Sequence, residues 1–232
     1  MTLAITVQAQ DCCKGENPYK KYTQDLPFGM LEVKAPVIPE RQVNLKDFGA
    51  VGDGATLCTD AFAKAIEALS NQGGGHLIVP NGVWFTGPII LKSNIDLHLE
   101  MGAVIKFSAD ESLYAVIKTS FEGLDTRRCQ SPLSANGAEN IAITGQGVID
   151  GNGQFWRPVK KAKMTDAQWK EVLGRPGGME SRPGYWVPNQ AYANAEKNAD
   201  MNVPKAQTDE EWNAIKRFLR PVMVSLIIQL TV

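Results

Sequence analysis

The chain has 232 residues, 44% of them hydrophobic, which suffices for one domain with a substantial core and argues against wholesale disorder. Its 24 Lys and Arg against 25 Asp and Glu leave a formal charge of −1, with no global pull toward nucleic acid or an anionic membrane, so neither is expected as a partner. Four cysteines, Cys12, Cys13, Cys58 and Cys129, are too few for a disulfide-built scaffold and lack the spacing of a structural zinc site; one bridge stays open.

In chain order, residues 1–10 carry a short apolar run from Leu3 to Val7, and Val7-Gln8-Ala9 suits secretory cleavage after Ala9. The basic start is missing, so the segment reads as a truncated signal peptide, with a frayed N-terminus as the alternative. Residues 11–41, with Pro18, Pro27, Pro36 and Pro39, read as an extended lead-in. A short strand is expected at Val43–Leu45, then a glycine-punctuated turn through Gly49, Gly52 and Gly54. That turn inverts the dinucleotide fingerprint and is not read as a nucleotide site. A helix follows, N-capped by Thr59 or Asp60, with Phe62, Ile66 and Leu69 on one stripe and Gly73-Gly74-Gly75 at its end.

From His76 the pattern turns to short β-type runs: His76–Val79, Val83–Thr86, Ile89–Leu91, Ile95–Leu99 and Ala103–Phe107, then Ile141–Thr144 and Val148–Asp150. Two of them echo. Ser93-Asn94-Ile95-Asp96-Leu97 followed by Gly102-Ala103-Val104-Ile105 matches Glu139-Asn140-Ile141-Ala142-Ile143 followed by Gly147-Val148-Ile149. The two Asn-Ile pairs lie 46 residues apart, which predicts two solenoid coils of about 23 residues each. In a parallel β-helix, Asn94 and Asn140 would stack as a ladder, and the helix would close the first coil. An insertion is expected at about 157–219, with helices after the capping boxes Thr165-x-x-Gln168 and Thr208-x-x-Glu211 and an irregular join between them. Arg220-Pro221 ends the insertion, and strand character resumes at Val222. The apolar run to Val232 is far shorter than the roughly 20 residues of a membrane span, but it carries an aggregation signature.

Phe48-Gly49-Ala50-Val51-Gly52-Asp53-Gly54, Thr59-Asp60-Ala61-Phe62 and Gly73 through Gly82 together resemble the N-terminal pattern of the pectin-lyase-like superfamily. Thr86-Gly87-Pro88-Ile89, Leu91-Lys92-Ser93-Asn94 and Gly147 through Gly153 with Trp156 narrow the resemblance to glycoside hydrolase family 28, the polygalacturonases and their relatives, over residues 42–156 and 220–226. It implies an all-β fold: a right-handed single-stranded parallel β-helix over 42–232, with an N-terminal capping helix and a partly helical insertion. It also implies inverting hydrolysis of pectin or galacturonan by carboxylates spaced about 6.5–9.5 Å apart, in a secreted or periplasmic protein. The family's Asn-Thr-Asp, Asp-Asp, Gly-His-Gly and Arg-Ile-Lys motifs do not occur in this sequence, and Ile227–Val232 departs from the family pattern. The expectation is an N-terminal portion, inactive alone, produced by truncation or a shifted reading frame. A non-catalytic β-helix that binds acidic polysaccharide or acts as a structural module is the alternative. A calcium-dependent lyase finds no ligand cluster in the sequence.

No catalytic residue, metal or cofactor is therefore assigned. Asp53 and Asp150 read as turn stabilisers, and Phe155 breaks an EF-hand reading. His76 and His98 read as structural, and Ser70 and Ser93 lack a triad. The interval Arg157–Arg182 holds seven basic residues against three acidic ones, interleaved with Trp156, Trp169 and Trp186 on either side and within. It reads either as a binder of an acidic uronide chain or as a solvated insertion whose tryptophans pack inward. Trp156 and Arg157 are the substrate-contact candidates, because they directly follow a coil. Self-association through the exposed C-terminal strand is a further expectation, since an uncapped solenoid end exposes its core.

Overall fold

The computed structural model describes residues 20–30, 35–198 and 204–227. Residues 1–10, read from sequence as a truncated signal peptide, Cys12, Cys13 and the tail from Ile228 lie outside them. The chain divides into two units, residues 1–37 and 38–232. In the first, helix α1 (Lys20–Thr23) has no buried residue.

In the second unit, β1 (Gln42–Asn44) runs into a 3-10 turn that buries Leu45, and α2 (Thr59–Asn71) follows. Between them Asp53 accepts hydrogen bonds from the Ala55 and Thr56 N–H groups at 2.8 and 2.7 Å and from the Thr56 hydroxyl at 2.7 Å. These donors hold its carboxyl down to about 2; the residue is a turn stabiliser. Helix α2 buries Ala61, Phe62, Ala65, Ile66 and Leu69 in the same cluster as Leu45, Leu77 and Ile95. The expected cap is not made. The helix starts after Cys58, which gives no side-chain cap, and the Thr59 hydroxyl instead accepts the Gly87 N–H at 2.7 Å, satisfying a buried turn. At the far end Gly74 has φ +114°, and a Cβ there would lie 2.2 Å from the Asn94 carbonyl oxygen, so only glycine fits.

The next strands are β2 (Gly75–Val79), β3 (Gly82–Thr86), β4 (Ile89–Ile90), β5 (Ile95–Leu99) and β6 (Ala103–Phe107). They pair in parallel one coil apart: β1 with β2, β2 with β5 and β3 with β6. His76 lies opposite Asp96, 20 residues on. Alternate residues face inward, so Leu77 and Val79 stack on Leu97 and Leu99, while Trp84 stacks on Ile105; all six are buried. Each large apolar side chain so placed contributes about 1.5–3 kcal/mol.

Strands β7 (Val116–Phe121) and β8 (Leu124–Cys129) break this rhythm as an antiparallel hairpin, turning through Glu122 and Gly123 at φ 51° and 81°. Coiling resumes with β9 (Leu133–Asn136), β10 (Ala142–Gly145) and β11 (Val148–Asp150), which pair in parallel with β4, β5 and β6. The 46-residue echo is therefore one long coil, not two of about 23 residues, because the hairpin is looped out of it. The asparagine ladder forms as expected: Asn140 donates to Asn94 at 3.0 Å, both with positive φ.

The two histidines lie on the outer face of these coils. Asp96, 2% exposed, accepts from the Thr144 hydroxyl at 3.0 and 2.8 Å and sits 2.9 Å from His76 Nδ1. With that hydroxyl hydrogen given to Asp96, His98 Nδ1 is the donor to Thr144 at 2.7 Å. The column ties three adjacent coils, which is a structural role for both histidines.

After the coils come β12 (Val159–Lys160), α3 (Asp166–Leu173), β13 (Met179–Arg182), β14 (Tyr185–Val187), α4 (Gln190–Asn198), α5 (Asp209–Ile215) and β15 (Val224–Ile227). Both capping boxes form, at Thr165/Gln168 and Thr208/Glu211. The join between those helices is not irregular. It contains α4 and strands β13 and β14, which form an antiparallel sheet ordered β12-β14-β13 with β12 from before α3; the strands are too short to leave a period. β15 pairs in parallel with β9, as the edge of a sheet ordered β15-β9-β4.

A basic cleft as the candidate functional site

Beyond β11, Asp150 accepts the Asn152 N–H at 2.8 Å, Asn152 takes φ 52°, and a 3-10 turn over Gly153–Phe155 delivers Trp156 and Arg157 to one place. Trp156 is only 2% exposed. It packs edge-on against Tyr114 at 5.2 Å, in a cluster with Cys129. Burial raises the Tyr114 hydroxyl and pushes the Cys129 thiol up to about 12, so neither ionises at neutral pH. Arg217 fastens the assembly. It donates to the Ala109 carbonyl at 2.9 Å and to the Phe155 carbonyl at 2.8 Å, and its guanidinium lies 5.1 Å from the Trp156 ring. Its neighbour Lys216 donates to the Tyr114 carbonyl at 3.1 Å.

Against this knot lies a cleft of about 460 Å³, with Trp156 in its lining and Arg157, exposed, at its wall. The hairpin contributes Phe121 and Arg128, the turn Gly151 and Gly153, and the segment before β15 contributes Arg220, Pro221 and Met223. The Arg128 guanidinium lies 4.0 Å over the Phe121 ring. None of the lining residues is acidic, so the cleft suits an anion.

The structure thus brings both sequence-named candidates to one cleft and separates them from the rest of the basic interval. Lys161 pairs with Asp166 at 2.8 Å, Arg182 with Glu196 at 3.2 Å, and Arg175 lies over Trp186 at 5.6 Å. Trp169 and Trp186 pack inward, as the solvated-insertion reading has it. Sequence reasoning missed Phe121, Arg128 and Arg220. The Arg127-Arg128 pair was the one visible signal, and Arg220 was read only as ending the insertion. Among the described residues no group of three or more His, Cys, Asp or Glu is placed to hold a metal ion.

No family model matches the chain. A probable polygalacturonase of Vitis vinifera is 34% identical over 165 residues, 67% of this chain and 32% of the relative. An exo-poly-alpha-D-galacturonosidase of Dickeya chrysanthemi is 37% identical over 52% of this chain and 21% of its own. Among solved structures, a hyperthermoactive exopolygalacturonase from Thermotoga maritima aligns with TM-score 0.56 and 39% identity over 84% of this chain and 40% of its own. The Yersinia enterocolitica family 28 exopolygalacturonase aligns with TM-score 0.55 and 26% identity over 82% and 33%. The fold is of the pectin-lyase-like, parallel β-helix class. Within that class it is polygalacturonase-like, and the chain spans about a third or less of the curated relatives it matches.

Proposed function

We propose that this chain is the N-terminal part of a polygalacturonase-like hydrolase acting on pectin or galacturonan, that it holds the acidic polymer in the basic cleft, and that it does not hydrolyse it alone. The cleft without a carboxylate carries the first point, since uronate chains are polyanions. The second rests on the chemistry: inverting hydrolysis needs an acid and a base carboxylate flanking the bond, and the expected aspartate motifs are absent from this sequence. Arg157 would meet the sugar acid directly, with Trp156 as the floor beneath it. A secreted or periplasmic location goes with such a substrate. The domain would run over 42–232, with α2 sealing its first coil and residues of about 157–219 as an insertion.

Folded protein incubated with polygalacturonic acid is expected to release no new reducing ends, yet to bind oligogalacturonides with an affinity that falls as salt rises. Release of reducing ends by the pure chain would overturn the division of labour.

Self-association through β15 belongs to the same reading. Val224 and Leu226 occupy inward positions at 40% and 51% exposure, where their partners Leu133 and Ala135 are 0% and 3% exposed. Among the described residues β15 is an edge of its sheet and nothing covers these inward positions. Light scattering is expected to show mass above that of a 25.3 kDa monomer. A monodisperse monomer at all concentrations would count against it.

A further inference from the structure

Resting on the self-association reading, we propose that the partner is a second copy of this chain, that the two meet tail to tail across the underside of the last coil, and that association closes at two. That coil is made of β10, β11 and β15, and among the described residues each of them is the outer strand of its sheet. Ile143 of β10 lies opposite buried Leu97 yet is 38% exposed, as Val224 and Leu226 of β15 are exposed below Leu133 and Ala135. Three strand edges and the apolar positions between them therefore face the same way. Exposed edges are ordinarily guarded by Lys, Pro or a bulge, and these three strands carry none of them. Asp150 is their one charged residue, next to Ile149, which packs against the core. By the alternation of a strand Asp150 points outward, so two copies can meet without a charge at any inward position.

The opposite end of the stack is closed. Helix α2 lays Phe62, Ile66 and Leu69 on the core of the first coil. The loop before α2 takes up the free edge of β3: the Val83 N–H donates to the Gly52 carbonyl at 3.1 Å, and the Gly54 and Cys58 N–H groups donate to the Val83 and Phe85 carbonyls at 2.7 and 2.8 Å. β1 is only three residues long, with Val43 packed against the core. A tail thus meets no open head, which disfavours the head-to-tail contact that builds filaments and leaves the self-complementary contact that closes at two. A two-fold axis perpendicular to the coil axis reverses the winding seen from one end, so strands facing each other across the joint run antiparallel, the more stable pairing. Ile143, Val148, Val224, Leu226 and Ile227, all more than a third exposed, present roughly 400 Å² of apolar surface per copy. At the ~57% apolar share of ordinary interfaces, two such faces correspond to about 1,400 Å² in all, enough for a specific dimer.

The test is sedimentation velocity of the full chain over a wide concentration series, with circular dichroism as the check on folding. The mass is expected to rise with concentration and level off at twice 25.3 kDa. Leu226→Lys and Ile143→Lys each set a charge into the joint at a position already exposed in the single copy, so the fold should survive. Each is expected to weaken association by about a hundredfold or more, because an unpaired charge would be buried among apolar groups. Gln42→Lys, on β1 at the closed end, should leave the plateau where it is. In a head-to-tail array it would be as damaging as Leu226→Lys. Mass that keeps growing without a plateau, or dissociation by Gln42→Lys, overturns the closed pair while self-association itself stands. Association untouched by both open-end lysines in folded protein overturns the assignment of the surface. A monomer at every concentration sinks the self-association reading and the pair with it.

Discussion

Trp84→Ala is expected to lower the unfolding free energy by about 3–5 kcal/mol. Trp84 is fully buried, its indole N–H donates to the Pro80 carbonyl at 2.7 Å, and it stacks in register on Ile105 of the next coil. The packing is tight on the other side too, since a Cβ on Gly52 would come within 3.0 Å of the ring. Truncation therefore opens a cavity in the middle of the coil stack and leaves a buried carbonyl without its donor. Domains of this kind carry only about 5–15 kcal/mol in all, so the loss is a large fraction of the total. Urea titration followed by far-UV circular dichroism reads it directly. A cost below about 1 kcal/mol would mean that the β3–β6 rung is not part of the cooperative core.

The second large effect is expected at Arg217. Its two hydrogen bonds tie the Ala109 and Phe155 carbonyls, from the stretch between β6 and β7 and from the turn that carries Trp156, to the segment that leads into β15. Charge-assisted bonds of this type are each worth about 1.5–3 kcal/mol, and the side chain is only 13% exposed, so Arg217→Ala should cost about 2–4 kcal/mol. Lysine should not rescue it, because a single ammonium cannot serve two carbonyls and cover the Trp156 ring at once. Oligogalacturonide affinity should fall along with stability, since the same guanidinium anchors the turn that carries Trp156 and Arg157. Stability unchanged within 0.5 kcal/mol would show that the segments hold together without it.

Local signals in the sequence translated well. The Phe62, Ile66, Leu69 stripe became the buried face of α2, and both capping boxes formed, because each depends on residues within one or two turns. The Asn94–Asn140 ladder was also legible, since stacking coils repeat a turn residue at the same place. What failed was counting. An interval of 46 residues carries no mark of whether it is two coils or one coil with a hairpin looped out, although the alternation of Val116–Phe121 before Glu122-Gly123 was a hairpin signature in plain sight.

The cleft was legible only in part. Position after a coil singled out Trp156 and Arg157, but no spacing reveals that a tryptophan faces inward with Arg217 against its ring. Arg128 and Arg220 reach the pocket through tertiary closure, one from the β7–β8 hairpin and the other from the segment before β15. Reading Arg220 as a terminator before Pro221 was sound local reasoning about a residue whose surroundings are not local.

Pairing of β15 with β9 joins Val224 to Leu133, about 90 residues apart, whereas β2 and β5 join residues 20 apart. Loop closure makes the longer junction costlier by about 1 kcal/mol, before the ordering of α3, α4 and α5 between them is counted. High contact order slows folding, so this junction should be among the last to form. Arg220, Pro221 and Met223 enter the cleft only with it. Ligand competence and completion of folding are therefore the same event, and a chain stalled with its early coils already stacked would look largely folded by circular dichroism yet be unable to recognise its sugar.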